Sequence, residues 1–187
     1  MLSCHGEYQP SFVKAKIFRS DSTAPHPSID LPKVPDMKVT YSRLDMLNYD
    51  RYGVFSTQIT LYVTAINENA KARATFSDIS FVLRFDGVPV AELRAEPFEI
   101  PRNSTKTLPY VVQSSSIPLE GNAAEEIDAS LKRDKITFHL KGGSRVTWNI
   151  GPVGPFKFRT HLFCKLDFFP TNGSSVNSHS HCSPESD

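Results

Sequence analysis

The stretch FKFRTHLFCKLDF, residues 156–168, alternates apolar and polar side chains along most of its length. One parity carries Phe156, Phe158, Thr160, Leu162, Cys164, Leu166 and Phe168, and the other carries Lys157, Arg159, His161, Lys165 and Asp167. Successive side chains of a β-strand point to opposite faces, so this period of two predicts a long strand with one buried face. Cys164 lies on the apolar parity, which predicts a buried structural thiol.

The same alternation recurs upstream. It is clearest in residues 59–65, 79–85, 136–140 and 146–150, and weaker in residues 39–47, 89–95 and 107–113. The sequence Gly142-Gly143-Ser144 falls between two of these runs and predicts a hairpin turn, since glycine tolerates turn conformations. About eight strands separated by turns indicate two packed antiparallel sheets.

One segment has helical periodicity instead. Asn122 is a suitable N-cap residue, and Glu125 three positions later is typical of a capping box. Ala123, Ile127 and Leu131 then form an apolar stripe on one side of a helix. We therefore predict one short helix near residues 123–133.

Composition divides the chain into three parts. Residues 1–35 contain five prolines and predict an extended lead-in, because proline fixes φ and lacks an N–H donor. Residues 36–170 hold the predicted strands and form the β-sandwich domain. Residues 171–187, TNGSSVNSHSHCSPESD, are polar and predict a disordered tail.

Charge and hydropathy exclude two classes of protein. Lysine and arginine number 21 against 20 acidic residues, and a formal charge of +1 argues against a nucleic-acid-binding protein. The longest apolar run is three residues, whereas a membrane helix needs about 20. Residues 1–10 also lack the apolar stretch of a secretory signal, so the chain as written predicts a soluble, cytoplasmic protein.

No pattern for catalysis, cofactor binding or metal binding stands out. The glycines form no phosphate-binding loop, and there is no G-x-S-x-G sequence. His179, His181 and Cys182 are close in sequence but lie in the predicted tail without a fourth zinc ligand. The carboxylates Glu125, Glu126 and Asp128 suit the start of a helix. We predict no catalytic, cofactor-binding or metal-binding residue.

The cysteines and two N-glycosylation sequons give information about the cellular compartment of the protein. Cys4, Cys164 and Cys182 are odd in number and widely separated, which predicts free thiols in a reducing compartment. Asn103-Ser104-Thr105 and Asn172-Gly173-Ser174 match the acceptor sequence for N-glycosylation. Asn103 and Asn172 are candidate glycosylation sites only if the chain enters the secretory pathway.

Three segments resemble a known family. Residues 63–69, VTAINEN, resemble its V-x-N-P-N segment, and residues 75–87, TFSDISFVLRFDG, resemble its Y-Y-D-x-I-x-V-x-V-x-Y-x-G segment. Residues 97–105, PFEIPRNST, resemble its P-F-x-Q-x-x-x-N-T-T segment. In this order they resemble the plant late-embryogenesis-abundant type 2 (LEA-2) domain, which includes harpin-induced and disease-resistance-like proteins. The resemblance covers about residues 36–168.

The resemblance implies an immunoglobulin- or fibronectin-III-like sandwich of about seven to eight strands, with no known catalytic residue and no cofactor. It also implies an association with desiccation, other stress and defence at the plasma membrane. Glu68 stands where the family has proline. Most relatives carry an N-terminal membrane helix, so the chain resembles either the soluble branch or a member whose anchor lies outside this sequence.

Two functions follow as hypotheses. The first is a non-enzymatic stress- or defence-associated protein that acts by binding an unknown protein partner or a lipid, through surface contacts. The alternative is a carrier of a lipid or another apolar ligand, in which the 13 phenylalanines line an opening between the sheets. The same phenylalanines would also fill an ordinary core. Neither hypothesis includes a nucleic acid.

Overall fold

The computed structural model describes residues 33–149, 154–177 and 181–183. The predicted lead-in, residues 1–35, therefore lies outside the described residues except for its last three. The described chain forms strands β1 (Asp36–Tyr49), β2 (Val54–Asn67), β3 (Ala74–Phe85), β4 (Val88–Ala95), β5 (Phe98–Ile100), β6 (Ser104–Gln113), β7 (Ile117–Pro118), β8 (Ile136–Asn149), β9 (Pro155–Phe168) and β10 (His181–Ser183), and helix α1 (Asn122–Lys132).

These strands form two antiparallel sheets. The first sheet has the order β1-β2-β6, and β7 pairs with the start of β2. The second has the order β10-β9-β8-β3-β4, and β5 pairs with the start of β3. Across the two layers, β1 contacts β9 and β6 contacts β4. The predicted antiparallel β-sandwich is confirmed, and seven of the described strands have eight or more residues.

Phenylalanine side chains from both sheets meet in the interior. Phe55 of the first sheet stacks on Phe85 at 5.4 Å between ring centroids and lies 6.4 Å from Phe138. Phe138 in turn packs 5.7 Å from Phe85 and 6.0 Å from Phe168. All four are buried. Each such side chain contributes about 1.5–3 kcal/mol by leaving water, and favourable ring geometry adds to that.

The predicted parity of β9 holds along only part of the strand. Leu162, Cys164 and Leu166 are buried on the inner face as predicted. Phe156 was predicted to face inward with them but is 44% exposed, and Phe158 is half-buried. Both rings pack on buried Trp148, with centroids 6.1 and 6.0 Å away, so they cover an end of the core instead of entering it.

The predicted hairpin turn at residues 142–144 is wrong. Strand β8 continues through Gly142 and Gly143 to Asn149, and β9 begins at Pro155. A Cβ on Gly142 would lie 2.1 Å from the backbone oxygen of Ser80, and one on Gly143 would lie 2.1 Å from that of Thr160. The glycines are therefore required by the close approach of both neighbouring strands, and not by a turn.

A bulge in β3 accompanies this close approach. Ser77 is opposite Arg145 and Ser80 is opposite Gly143, so β3 uses one more residue than β8 over this distance. Asp78 within the bulge has a φ of 50°, in the left-handed region. A bulge of this kind bends the strand and changes the direction of its side chains.

The helix is present, but its predicted cap and stripe are partly wrong. Gly121, with a φ of 55°, is the N-cap residue, and no side chain caps the helix. Asn122 is thus the first helical residue, because the Gly121 carbonyl already accepts bonds from the amides of Ala124 and Glu125. Ala123 and Ile127 are buried as predicted, whereas Leu131 is 42% exposed.

Ser130 takes the buried position that was predicted for Leu131. It is fully buried, and its hydroxyl donates to the Glu126 carboxylate at 3.1 Å. The small side chain fits at this position, and its polar group has a partner, which removes most of the cost of burying it.

The predicted disordered tail is corrected for residues 171–177 and 181–183. The carbonyl of Gly173 accepts a hydrogen bond from the amide of Leu44 at 2.9 Å, and Val176 donates to Asp167 at 2.8 Å. Residues 181–183 then form β10 on the edge of β9. The polar segment after β9 therefore turns back along the sandwich, and its backbone groups form hydrogen bonds with backbone groups at strand edges. Residues 178–180 and 184–187 lie outside the described part of the chain.

Two asparagines, Asn67 and Asn69, link the chain segments that pass from one sheet to the other. Asn67, at the end of β2, is fully buried, and its Nδ2 contacts the carbonyls of Ala72 at 3.0 Å, Pro101 at 2.9 Å and Ile100 at 3.3 Å. Its Oδ1 accepts from the Asn69 amide at 3.2 Å. One side chain therefore joins the β2–β3 connection to the β5–β6 connection.

The residue between these asparagines faces solvent. Glu68 is exposed and forms an ion pair with Lys33 at 2.9 Å. The hydrogen bond and charge of Lys33 lower the pKa of the Glu68 carboxyl below its ordinary value. Glutamate at position 68, where the LEA-2 segment has proline, is therefore compatible with the buried contacts of Asn67.

We predict that Asn67→Ala lowers the free energy of unfolding by about 3 kcal/mol or more, because it leaves buried carbonyls without a donor. Asn48→Ala, at an exposed position of β1, should change it by less than about 0.5 kcal/mol. Urea denaturation of both variants measures this difference. Equal stability of the two variants would contradict the role given to Asn67.

We predict that Gly143→Ala lowers the free energy of unfolding by about 3 kcal/mol, because the new methyl group collides with the β9 backbone. Gly87→Ala is the control, since a Cβ at Gly87 has nothing within 4 Å. Its positive φ alone should cost about 1–2 kcal/mol. Thermal and urea denaturation should rank the two in this order, and the reverse order would be evidence against the close approach.

Candidate functional site

A hollow of about 280 Å³ opens on the outer face of the second sheet, beside the β3 bulge. We call this the β8 hollow; its lining includes Asp78, Lys141, Gly143, Arg145, Arg159 and His161. Pockets of this size are at the lower end of the range for small-molecule sites.

The alternation of side chains between the two faces of β8 explains the shape of the β8 hollow. Lys141, Gly143 and Arg145 occupy alternate positions of β8, so they share the outer face. Gly143 lies opposite Ser80 on β3 and His161 on β9. Because Gly143 has no side chain, the space between its neighbours stays open above the backbone.

Positive charge is concentrated in the β8 hollow. Arg145 and Arg159 are directly opposite each other on neighbouring strands, an arrangement in which like charges repel. Arg145 forms an ion pair with Asp78 at 2.8 Å. Within the described ranges Arg159 forms no ion pair. The hollow therefore contains more cationic than anionic groups.

A carboxylate network borders the same face. Ser80 donates to Glu92 at 3.1 Å, and the Arg94 guanidinium donates to the same Glu92 oxygen at 2.8 Å. The hydrogen bond from Arg94, followed by that from Ser80, lowers the pKa of the Glu92 carboxyl. Glu92 is thus paired with Arg94 on its own strand.

Other residues considered for chemistry have structural partners. Ser114 is buried and accepts from the Thr57 amide at 2.9 Å. Glu126 is bound by Arg133 and Ser130, whereas Glu125 and Asp128 are exposed on α1. None of these carboxylates is brought to the β8 hollow.

The metal candidates are not assembled into a site. His179 lies outside the described residues, and Cys182 is bonded to another cysteine. Across residues 33–149, 154–177 and 181–183, no three histidine, cysteine, aspartate or glutamate side chains are grouped as metal ligands.

The prediction of free thiols is wrong for two cysteines. Cys164 and Cys182 form a disulfide, with Cα atoms 4.0 Å apart. The tail returns antiparallel to β9 and places Cys182 directly opposite Cys164. A separation of 18 residues gives no local signal for this pairing. Disulfides persist mainly in oxidising compartments, while Cys4 lies outside the described residues.

Both sequon asparagines are on the surface. Asn103 is exposed in the β5–β6 turn with a φ of 45°. Asn172 is exposed, and its Oδ1 accepts bonds from the amide and hydroxyl of Ser174 at 2.8 and 2.6 Å. Glycosylation of these two residues stays a prediction.

Two buried polar atoms have no hydrogen-bond partner in the described part of the chain, Tyr110 Oη and Trp148 Nε1. Burial raises the pKa of the Tyr110 hydroxyl, so it stays protonated at neutral pH. Trp148 lies at the end of the core covered by Phe156 and Phe158. The Phe156 ring at this end is 44% exposed.

The helix α1 has 11 residues and a mixed polar sequence. Within the described ranges, the chain has no helix with the length and apolar character needed to cross a bilayer.

We predict that Cys182→Ser lowers the free energy of unfolding by about 3 kcal/mol under oxidising conditions, because the bridge closes a loop of moderate length. Under reducing conditions the wild-type chain and the variant should have nearly equal stability. Urea denaturation with and without dithiothreitol tests both statements. A wild-type stability that dithiothreitol leaves unchanged would contradict the bridge.

No family model matches this chain, and no curated protein matches it. A solved structure described as "Crystal structure of protein from Archaeoglobus fulgidus" is similar, with 14% sequence identity and a TM-score of 0.36. The alignment covers 70% of this chain and 96% of that one. At this TM-score the likeness carries no argument about fold or function.

Proposed function

We propose that this chain is a non-enzymatic, LEA-2-like protein associated with stress or defence, which acts by binding through the outer face of its second sheet. One observation carries the proposal. The large apolar side chains of the interior pack on one another, whereas the positive charge of Arg145 and Arg159 lies in an open hollow on that outer face.

The LEA-2 part of the proposal is supported by the positions of the three motif-like segments. Residues 63–69 end in Asn67 and Asn69; Asn67 contacts the carbonyls of Ala72 and Pro101, and the Asn69 carbonyl accepts from the Asn103 amide, so they link the β2–β3 and β5–β6 connections. Residues 75–87 form most of β3 and its turn, and residues 97–105 form β5 and the start of β6. Residues 63–69 and 97–105 meet because Asn67 contacts the Ile100 and Pro101 carbonyls.

The location that we propose is the plasma membrane, on a side exposed to an oxidising compartment. The Cys164–Cys182 bridge supports this choice because disulfides are rare in the cytosol. Surface exposure of Asn103 and Asn172 is compatible with glycosylation there. The partner is an unknown protein or a lipid.

The alternative function is carriage of a lipid or another apolar ligand, and a specific observation favours it. Phe156 is 44% exposed beside Phe158 and buried Trp148, so one end of the core presents apolar surface. Against it, Phe55, Phe85, Phe138 and Phe168 are fully buried against each other and do not line an opening. We therefore place it second.

We predict that native mass spectrometry of the full chain from a eukaryotic host shows the polypeptide, with any glycan, and no retained lipid. A retained lipid that is lost in Phe158→Ser but kept in the control Val111→Ser would favour the carrier, since Val111 is 68% exposed on the other sheet.

The same preparation should show no turnover on panels of hydrolase and transferase substrates. Turnover that a single substitution abolishes, without loss of stability, would contradict the non-enzymatic part of the proposal.

A further inference from the structure

We propose that the outer face of the first sheet binds a neutral oligosaccharide, which stacks on the rings of Tyr41 and Tyr62 and hydrogen-bonds to the hydroxyl groups beside them. We call the surface formed by Tyr41, Tyr62, Pro109 and Val111 the tyrosine face. It lies on the first sheet, whereas the β8 hollow lies on the second. This inference therefore goes beyond the proposed function and does not depend on it.

A row of exposed side chains crosses the three long strands of the first sheet. Tyr41 is directly opposite Tyr62, and Tyr62 is directly opposite Pro109. The two tyrosine rings are 4.9 Å apart between centroids, and the residues are 42% and 39% exposed. Neighbouring strands lie about 4.8 Å apart, so the row is about 10 Å long, which is comparable to a disaccharide. Exposed aromatic rings in a contiguous group indicate a contact surface.

A row of hydroxyl groups follows the aromatic row on the same face. The Thr64 hydroxyl, two residues after Tyr62 on β2, lies 2.9 Å from the Thr40 hydroxyl and 3.1 Å from the Thr107 hydroxyl. Each hydroxyl has one donor and two acceptor lone pairs, so a row of three keeps unused acceptors. Thr40 and Thr107 are exposed at the two ends of this row. A sugar ring has apolar C–H faces and a rim of hydroxyls, and the two rows match both.

A hollow of about 280 Å³ adjoins Tyr41 at the edge of β1, and we call it the β1 hollow. Residues 174–177 form one of its walls, next to the point where the Leu44 amide donates to the Gly173 carbonyl. Because Tyr41 belongs to both the β1 hollow and the tyrosine face, a sugar stacked on its ring can reach polar groups of the hollow. Apart from Arg43, the lining consists of residues with hydroxyl or carboxamide groups: Thr40, Tyr41, Ser42, Ser174, Ser175 and Asn177.

The charges around the tyrosine face favour a neutral ligand. The face itself contains no lysine, arginine, aspartate or glutamate. Arg43, in the next row of β1, pairs with Asp45 at 3.6 Å, and Thr60 donates to the same carboxylate. Lys38 acts on Glu68, whose pKa is lowered first by Lys33 and further by the charge of Lys38. A charged ligand on the tyrosine face would lose hydration without gaining an ion partner.

Two other occupants fit the tyrosine face less well. A lipid chain needs a continuous apolar strip, but Thr60 and Thr64 border Tyr62 on both sides along β2. A second copy of the chain would supply about 20–30 residues to a standard interface, which is far more than the four side chains of this face. An oligosaccharide needs only a few aromatic and hydroxyl groups.

Tyr62→Ala is the variant to test first, because Tyr62 is exposed and its loss leaves the buried face of β2 unchanged. Tyr62→Phe keeps the ring and removes only the hydroxyl. Tyr52→Ala is the matched control, since Tyr52 is 74% exposed in the β1–β2 turn, where its ring contacts Arg51. Asn177→Ala tests the β1 hollow. Urea denaturation checks that each variant is folded.

The experiment is an NMR titration of the full, oxidised chain, made without N-glycans and with isotope-labelled tyrosine rings. The neutral probes are cellohexaose, laminarihexaose and mannohexaose, and hexagalacturonate is the acidic comparison. We expect saturable shifts of the Tyr41 and Tyr62 ring signals with at least one neutral probe.

The variants should separate stacking from general effects on the surface. Tyr62→Ala should weaken binding of the neutral probe about tenfold, as expected for loss of a stacked ring. Asn177→Ala should weaken it about threefold, as expected for loss of one hydrogen bond. Tyr62→Phe and Tyr52→Ala should leave it within twofold.

Three results would overturn the oligosaccharide site. The first is the absence of saturable shifts with all neutral probes, or equal weakening by Tyr62→Ala and Tyr52→Ala. The second is tighter binding of hexagalacturonate than of the neutral probes, which would show that charge selects the ligand. The third is a dependence of the ring shifts on protein concentration without sugar, which would show that a second copy covers the face. None of these results affects the proposed binding through the second sheet.

Discussion

Burial of Phe55 against the phenylalanines of the opposite sheet is the contact on which the rest of the structure depends. Phe55 lies on the first sheet, whereas Phe85, Phe138 and Phe168 lie on the second, and all four are fully buried. Because these rings join the layers, every long strand has to direct one parity inward. Charged side chains are consequently left on the outer faces, where the β8 hollow lies.

A second constraint follows from that burial, because every polar group that is buried with the rings needs a hydrogen-bond partner. Asn67 meets this need at one end of the sandwich through three backbone carbonyls. Ser130 meets it on the helix through Glu126. The N-x-N segment that carries the family resemblance thus has a structural explanation that requires no ligand. Any binding role has to be sought in side chains that packing does not use, such as Arg159.

Much of the fold could be predicted from period-two alternation, as in residues 156–168, because face selection is a local property of a strand. The errors share one cause. Gly142 and Gly143 resemble a turn locally, but they are needed where Ser80 and Thr160 approach β8 from both sides. Leu131 continues the apolar stripe in the sequence, yet the last turn of the helix buries Ser130 against the core and leaves Leu131 exposed. In each case a contact distant in sequence overrides a local preference.

The candidate site also combines features that local sequence determines with features that depend on contacts between distant segments. The sequence by itself determined that Lys141, Arg145, Arg159 and His161 lie on polar faces of strands, since parity is encoded in neighbouring residues. Only the tertiary structure decided that Arg145 stands opposite Arg159 beside the β3 bulge, and that Cys182 returns to Cys164. Register and chain return depend on backbone pairing and packing between segments far apart in the chain, and no short stretch of sequence contains that information.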